Sequence, residues 1–235
     1  MRIYVGIVLL VISSALNAQE RKGVKGYIGL SGGGHFQSAY IEHTLFNTFI
    51  NTGFDPGYHG GLMFKLFTNQ SHTSFLNAGL QSGLQFETKG WRQTFDTDEP
   101  TYHVQMDYLT LPIEAVIYGG KRKTKVFASI GMFLEQLINV DKDPDPNTDN
   151  IGSQEFFTYE EGRDKKFGYG VRVSVGIHRD FSFGALHLDG FISYSASSFI
   201  KTEEFSERLP DLTNHYLGGF TLAYLIPFGK MEFSR

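Results

Sequence analysis

The sequence predicts an all-β protein, an eight-stranded antiparallel up-and-down transmembrane β-barrel. Three observations predict this fold. Several stretches alternate apolar residues with small or polar ones, the connections between them alternate between short and long, and the N-terminus carries an export signal. A barrel strand turns alternate side chains toward lipid and toward the lumen, so its average hydropathy hides an apolar face. The mean hydropathy of −0.20 is therefore compatible with a membrane protein.

The export signal lies at the start of the chain. Arg2 is followed by the apolar run Ile3–Ile12 and then by the small residue Ala18, which is the pattern of a secretory signal peptide. The run is shorter than the ~20 apolar residues that a spanning helix needs. We therefore predict a cleaved signal peptide at residues 1–18 and one barrel domain at residues 19–235. The chain has no cysteine, which excludes disulfide bonds and a lipid anchor on cysteine.

Eight stretches have the period of two that a strand requires. The alternation is clearest in Phe167–Ile177, where the odd positions are aromatic or aliphatic, and in Tyr216–Phe228, where the even positions are. Both stretches are about as long as the ~9–11 residues with which a tilted strand crosses a bilayer. The predicted strands, in chain order, are Val24–Gly34, Tyr58–Phe67, Ser74–Glu87, Tyr108–Tyr118, Val126–Ile138, Phe167–Ile177, Ala185–Ala196 and Tyr216–Phe228. The outward positions of the other six strands are Ile28 and Leu30; Tyr58, Leu62, Phe64 and Leu66; Leu76, Ala78, Leu80, Leu84 and Phe86; Leu109, Leu111, Ile113 and Ile117; Val126, Ile130, Met132 and Leu134; and Leu186, Leu188, Ile192 and Tyr194.

The connections favour a membrane barrel over a soluble sandwich. Short polar turns are predicted at residues 68–73, 119–124 and 178–184, and they alternate with long connections at residues 35–57, 88–107, 139–166 and 197–215. Outer-membrane barrels have short periplasmic turns and longer extracellular loops. Apolar outward faces of this length would also form a large exposed patch in water.

Short motifs resemble those of a known family. Phe54–Leu62 (FDPGYHGGL) and Tyr108–Tyr118 (YLTLPIEAVIY) resemble strands of the Bacteroidota outer-membrane β-barrel proteins, the PorT-like group of small porin-family barrels. The glycine-rich first strand and the closing GGFTLAYLIPF are similar to that family as well, although Glu114 stands where an aliphatic residue is usual. The resemblance implies an eight-stranded barrel in the cell outer membrane, a link to protein secretion or surface assembly, and no catalytic residues.

The inward positions of the predicted strands carry charged side chains. Because the lumen of an eight-stranded barrel is just wide enough for side chains to fill, opposite charges are expected to pair there. We predict a side-chain-filled lumen held by such pairs, and the alternative is a narrow passive pore. The predicted lumen charge network consists of Lys65, Glu87, Glu114, Glu135, Arg172 and Asp189.

The first long connection contains a candidate partner-binding segment. In Phe36–Ile50 the apolar residues recur at helical spacing, which indicates an amphipathic helix that caps the lumen, lies on the membrane or binds a partner. The alternative is an extended hairpin that continues the first two strands above the membrane. The candidate residues are Phe36, Tyr40, Ile41, Leu45, Phe46 and Phe49.

Residues 141–150 (DKDPDPNTDN) place aspartates at the 1, 3, 5 and 9 spacing of a calcium loop. That loop also requires Gly at position 6 and Glu at position 12, where this chain has Pro146 and Gly152. We therefore expect a hydrated loop that binds calcium weakly at most.

Other chemistries have little support. We predict no cofactor, since Gly29–His35 (GLSGGGH) matches no phosphate-binding motif, and no metal site, since the eight histidines contain no H-E-x-x-H. A net charge of −4 without a basic block argues against nucleic acid as a partner. We predict no catalysis, because no G-x-S-x-G motif is present. Residues for a rim hydrolase acting on lipid A or peptide, the third hypothesis after the pore, would be Ser195, Ser197, Ser198, His103 and His215.

The leading prediction is therefore a non-enzymatic, structural or partner-binding barrel with functional extracellular loops. Its expected partners are outer-membrane lipid and, through the long loops, other envelope proteins.

Overall fold

A computed structural model describes residues 24–43, 48–50, 52–68, 76–94, 101–120, 123–143, 160–162, 164–201, 210 and 212–228. The predicted signal peptide, two candidate residues (Leu45 and Phe46) and most of the acidic segment lie outside these ranges. The described residues form ten strands: β1 (Lys25–His43), β2 (Thr48–Phe49), β3 (Thr52–Gly53), β4 (Asp55–Phe67), β5 (Asn77–Gln93), β6 (Tyr102–Gly119), β7 (Thr124–Asp143), β8 (Phe167–Phe181), β9 (Gly184–Ser195) and β10 (Leu212–Phe228).

The eight long strands close into a ring. Each pairs in antiparallel fashion with its neighbour in the chain, and β1 completes the ring by pairing with β10 from Gly26 opposite Phe228 to Glu42 opposite Leu212. The two-residue strands β2 and β3 pair with β1 and β5. The predicted all-β antiparallel barrel is thus confirmed. Within the part of the chain that is described, no helix is long and apolar enough to cross a membrane.

The predicted alternation sets which side chains face outward. In β8 the outward residues Val171, Val173 and Val175 are exposed, whereas Arg172 and Ser174 between them are buried inside the ring. The same pattern runs through β6 and β9. The apolar face therefore lies on the outside and the polar face inside, as a lipid-exposed barrel requires.

The strands are longer than the alternation predicted. The strand β1 runs to His43 and β7 to Asp143, so the long connections predicted at residues 35–57 and 139–166 were drawn too long. The other two were also too long, because β5, β6 and β10 extend into them. Beyond the apolar band the outward side chains become polar, as at Arg92 and Gln105, so the alternation that predicts a strand is lost. The main-chain pairing between the strands nevertheless continues.

The turns at one end of the barrel are tight. The connection from β8 to β9 is the pair Ser182–Phe183, shorter than the predicted residues 178–184. The chain leaves β6 through Gly120, whose φ of +124° is rarely adopted by residues with a side chain. Both strand termini that close the ring, Gly26 and Phe228, lie at this same end. We call it the short-turn end and the opposite one the long-loop end.

A β-bulge changes the register of β7 near the long-loop end. Leu137 lies opposite Tyr108 and Asn139 lies opposite Asp107, so Ile138 has no residue directly across from it. Inward positions are odd-numbered before the bulge and even-numbered after it. Val140 consequently packs against the buried core instead of facing outward.

Two apolar clusters fill the ends of the barrel. The lower cluster, at the short-turn end, consists of Tyr27, Met63, Phe67, Val116, Tyr118, Phe127, Ala185, Ala223 and Leu225. The upper cluster, at the long-loop end, consists of Ala39, Ile41, Trp91, Tyr102, Val104, Met106, Tyr108, Leu137, Phe199 and Ile200. Buried polar and charged side chains occupy the lumen between them.

Candidate functional site

All six predicted lumen charges lie inside the barrel and are buried. Strand geometry turns each of these side chains into the ring. They do not form one continuous set of ion pairs, because each sits among different neighbours along the lumen. The six residues are Lys65, Glu87, Glu114, Glu135, Arg172 and Asp189.

Lys89 links two of these carboxylates, and sequence reasoning missed it. Its Nζ atom donates a hydrogen bond to Glu135 and lies 3.6 Å from Glu87. It also donates to the hydroxyl of Ser195 at 3.2 Å, and that hydroxyl donates to Glu135 at 3.1 Å. The predicted strand had ended at Glu87. Extending the same alternation by two residues would have placed Lys89 on the inward face.

Arg172 occupies the middle of the lumen. Its guanidinium carbon lies 3.7 Å from the ring centroid of Phe191, and its Nη1 atom lies 3.5 Å from Glu87 Oε1. The same group donates to the Gln85 side chain at 3.4 Å and to the Thr221 hydroxyl at 3.5 Å. One cation thus combines a ring contact with an ion pair and neutral acceptors, which offsets much of the desolvation penalty of a buried charge.

Lys65 and Asp189 are joined through a histidine. Lys65 Nζ lies 3.3 Å from His187 Nδ1, and His187 Nε2 lies 2.5 Å from Asp189 Oδ2. Because the ammonium has no acceptor site, Nδ1 accepts and Nε2 donates. Lys65 also lies 3.5 Å from the ring centroid of Phe127, in the lower cluster.

In the part of the chain that the structure describes, neither Glu114 nor Lys65 has an ion-pair partner of opposite charge, and Glu114 is held by neutral groups. It accepts a hydrogen bond from Ser129, which in turn lies 2.6 Å from the hydroxyl of Ser174. The expectation that every lumen charge pairs with an opposite charge is therefore wrong at these two positions. At Glu114 a carboxyl can be held by neutral hydroxyl donors instead.

A further charged cluster lies at the short-turn end. Asp180 is 3.1 Å from both Lys25 and Lys125, and it accepts a hydrogen bond from the Tyr27 hydroxyl at 2.7 Å. The sequence analysis did not single out these residues, because their partners come from strands far apart in the chain. The cluster connects the start of β1 with the C-terminal end of β8.

The segment that follows β9 closes the long-loop end. Phe199 stacks on the indole of Trp91, at 5.5 Å between centroids, and on the imidazole of His215, at 4.7 Å, and these two rings lie 6.1 Å from each other. The backbone amide of Phe199 donates to the Thr213 carbonyl at 3.1 Å, and Asn214 donates to the Ser195 carbonyl at 2.9 Å. These bonds hold the segment inside the mouth of the barrel, above Lys89 and Glu135.

The residues of the rim-hydrolase hypothesis do not form a triad. Ser195 is bound to Glu135 and Lys89, Ser197 bonds to the main chain of Tyr169, and Ser198 bonds to Thr213. His103 lies 3.0 Å from Asp55, and neither ring nitrogen of His215 has a hydrogen-bond partner among the described residues. Across the described ranges, no hydrogen bond joins any of the three serines to either histidine.

The candidate partner-binding segment is a strand in its described part, so the helical interpretation is wrong there. The strand β1 continues to His43, and β2 pairs with it at Glu42 and His43, which is the extended hairpin that was the alternative. A hairpin turns alternate side chains apart. Phe36, Tyr40 and Phe49 are exposed, whereas Ile41 is buried in the upper cluster.

The hairpin forms a groove on the outer face of the barrel. The groove has a volume of about 350 Å³, and its lining residues are Ala39, Tyr40, Ile41, Phe49, Ile50, Thr52 and Tyr216. Tyr40 and Phe49 meet edge to face at 5.9 Å between centroids. The Tyr40 hydroxyl donates to Glu42 at 2.6 Å, and this hydrogen bond raises the pKa of Tyr40 to about 12.

The acidic segment that begins at Asp141 is described only in part. Asp141 and Asp143 lie at the end of β7, and the remaining residues of the 141–149 pattern fall outside the described ranges. Among the residues that are described, no group of three or more His, Asp or Glu side chains is placed to hold a metal ion. Weak calcium binding at residues 141–149 stays a prediction.

Comparison with known proteins identifies similar barrels. A family model described as "Outer membrane protein beta-barrel domain" matches residues 17–201. The outer membrane protein OprG from Pseudomonas aeruginosa is similar in structure, with a TM-score of 0.52 and 10% identity over 89% of this chain and 97% of OprG. The outer membrane protease OmpT from Escherichia coli has a TM-score of 0.42 and 7% identity over 88% of this chain and 96% of OmpT. No curated protein sequence matches this chain. At such identities the likeness to OprG shows the fold alone.

Proposed function

Because this chain belongs to the family of outer membrane protein β-barrel domains, we propose that it is a closed, non-enzymatic barrel that acts at its extracellular surface. Membership of this family also locates the protein in the outer membrane. The short-turn end then faces the periplasm and the long-loop end faces the exterior. In this proposal the barrel is a structural or partner-binding component of the envelope. The PorT-like resemblance further implies a partner in protein secretion or surface assembly, which stays a prediction.

The observation that supports this proposal most strongly is the double closure of the lumen. The upper cluster seals the mouth with Trp91 and Phe199, and the lower cluster seals the periplasmic end with Phe67 and Tyr118. Ions that entered would meet apolar side chains at both ends, and the lumen of a barrel of this size leaves no room beside them. A narrow passive pore is therefore the weaker hypothesis.

The lumen serine of the rim-hydrolase hypothesis, Ser195, is not an exposed nucleophile. Ser195 is buried, and both of its neighbours, Lys89 and Glu135, are held by each other. The proposal therefore assigns function to the outer surface, where Tyr40 and Phe49 are exposed.

Single-channel recording tests the closed lumen. Purified barrel is reconstituted in a planar bilayer, with heat-modifiable gel migration confirming that it is folded and a large porin serving as the positive control. We expect no steady conductance from this protein. A steady, ohmic conductance would overturn the proposal in favour of the narrow pore.

A hydrolysis assay tests the non-enzymatic part. Purified protein is incubated with lipid A or with a peptide mixture, and products are measured by mass spectrometry. We expect no turnover. Turnover that is lost in Ser195→Ala or His215→Ala, with unchanged gel migration of the variants, would establish a rim hydrolase instead.

A further inference from the structure

We propose that the groove beside the β1–β2 hairpin holds an acyl chain of an outer-leaflet lipid. This inference rests on the proposed function, since it names the partner of the extracellular surface. The lining combines the exposed rings of Tyr40 and Phe49 with the aliphatic side chain of Ile50. Its volume of about 350 Å³ falls in the range of small-molecule sites, which is ~300–1,000 Å³.

The chemistry of the lining favours an apolar occupant. All of its side chains are uncharged. Two of its hydroxyl groups are already committed, because Thr52 donates to the Ala39 carbonyl at 2.5 Å and Tyr40 donates to Glu42 at 2.6 Å. A sugar or a polar peptide would require free donors and acceptors at such a site, whereas an acyl chain requires only apolar contact.

The main chain around the groove is also engaged. Ala39 pairs with His215 of β10, and the Ile50 amide donates to the Ile41 carbonyl at 3.1 Å. An extended peptide binds a sheet by adding a strand to an open edge. Among the described strands β2 pairs with β1 alone, but its free edge is only two residues long, so the groove is suited to lipid more than to an extended peptide.

The groove is continuous with the lipid-facing surface of the barrel. Tyr216 lies across from Ser38, and Phe36, two residues along β1, lies across from Gly218. From Tyr216 the outward side of β10 continues through Phe220 and Leu222, which are both exposed. An acyl chain can therefore pass from the apolar band into the groove along these outward positions. The Glu42 carboxylate marks the polar upper limit of this path.

The inference is tested by counting retained lipid. Barrel reconstituted in phosphatidylethanolamine vesicles is extracted with mild detergent and examined by native mass spectrometry. Phe49→Ala removes a wall of the groove, and Phe167→Ala is the matched control, because Phe49 is 55% exposed and Phe167 is 56% exposed. We expect one retained lipid in the wild type and in Phe167→Ala, and about tenfold less in Phe49→Ala, as the loss of one buried aromatic contact predicts. Equal retention by the two variants, or none by the wild type, would overturn the inference.

A second measurement does not depend on a variant. A phosphatidylethanolamine with a diazirine at the end of its acyl chain is activated by light in vesicles that contain the wild-type barrel. We expect adducts on peptides that contain Phe49 or Tyr216, in addition to those from the outward face of β8. Adducts confined to the apolar band would contradict a bound chain in the groove. The conductance and hydrolysis results on the same preparation are independent, so failure of this inference is distinguishable from failure of the proposed function.

Discussion

The indole of Trp91 stacks on the ring of Phe199 at 5.5 Å between centroids and 19° between planes. Trp91 lies near the end of β5, whereas Phe199 belongs to the segment after β9, on the other side of the barrel. Their contact lies at the long-loop end, and the His215 imidazole of β10 lies 4.7 Å from the Phe199 ring and 6.1 Å from the Trp91 ring. In the proposed closure of the lumen, Phe199 is thus an aromatic side chain that comes from a connection rather than from a strand.

Replacing Phe199 with alanine tests this closure. We expect the segment around residue 199 to loosen, because a buried Phe→Ala change removes contacts worth ~3–5 kcal/mol. Trp91 is the single tryptophan of the chain, so its fluorescence reports on the mouth alone. The emission should shift to the red in Phe199→Ala and stay unchanged in Phe183→Ala, whose ring is exposed in the β8–β9 turn. An unshifted spectrum in Phe199→Ala would contradict the role of this residue.

Replacing Lys89 with methionine leaves two buried carboxylates without their shared cation. Glu135 loses its ion pair, and Glu87 keeps only Arg172. Removal of one partner from a buried ion pair costs ~3–5 kcal/mol. We expect the free energy of unfolding, measured by urea titration and gel migration, to fall by about that amount at pH 7.

A double variant provides the control for this prediction. In Lys89→Met/Glu135→Gln the Glu135 carboxylate is removed together with the Lys89 cation. Much of the lost free energy of unfolding should therefore be recovered. If the double variant is as unstable as the sum of the two single variants, Lys89 and Glu135 are not coupled in the way that their contact indicates.

The sequence predicted the barrel walls well, because period two is imposed by strand geometry alone. The pattern of Phe167–Ile177 correctly placed Val173 outside and Arg172 inside. It did not predict that Val140 faces inward, because this follows from the bulge at Ile138, and a bulge depends on the pairing with β6.

The period of the sequence could not predict the upper cluster, for a different reason. Phe199 follows a strand in a segment without alternation, and its position is determined by Trp91 and His215 on strands distant in sequence. The helical spacing of apolar residues in Phe36–Ile50 likewise does not reflect a helix in the described part of this segment. The outward rings of Tyr40 and Phe49 come from two paired strands, which meet only in the folded hairpin.

The adjacent glycines Gly33 and Gly34 of β1 should differ in their tolerance of substitution. A side chain at Gly33 would clash with the Phe220 carbonyl and with the ring of His59, because the strands approach closely on the inner face. A side chain at Gly34 would point outward, where the nearest atom is 3.7 Å away. We expect Gly33→Ala to reduce the folded fraction on heat-modifiable gels severalfold and Gly34→Ala to leave it unchanged. Equal behaviour of the two variants would be inconsistent with the inner-face packing.

Glu114 provides the sharpest test of how charge is accommodated in the lumen. Its carboxyl is buried and accepts hydrogen bonds from Ser129 and, at 3.5 Å, from the amide nitrogen of Gln81, whose side-chain oxygen has no hydrogen-bond partner among the described residues. In Glu114→Gln the Gln81 amide can turn over so that its oxygen accepts from the new amide nitrogen, and no ion pair is lost. We therefore expect the free energy of unfolding to stay the same or to rise by ~1 kcal/mol. The matched variant Glu135→Gln removes the partner of Lys89 and should lower the free energy of unfolding by ~3 kcal/mol. Urea titrations of both variants measure the difference in the free energy of unfolding. A larger loss of stability in Glu114→Gln than in Glu135→Gln would mean that the lumen network depends on Glu114 rather than on Glu135.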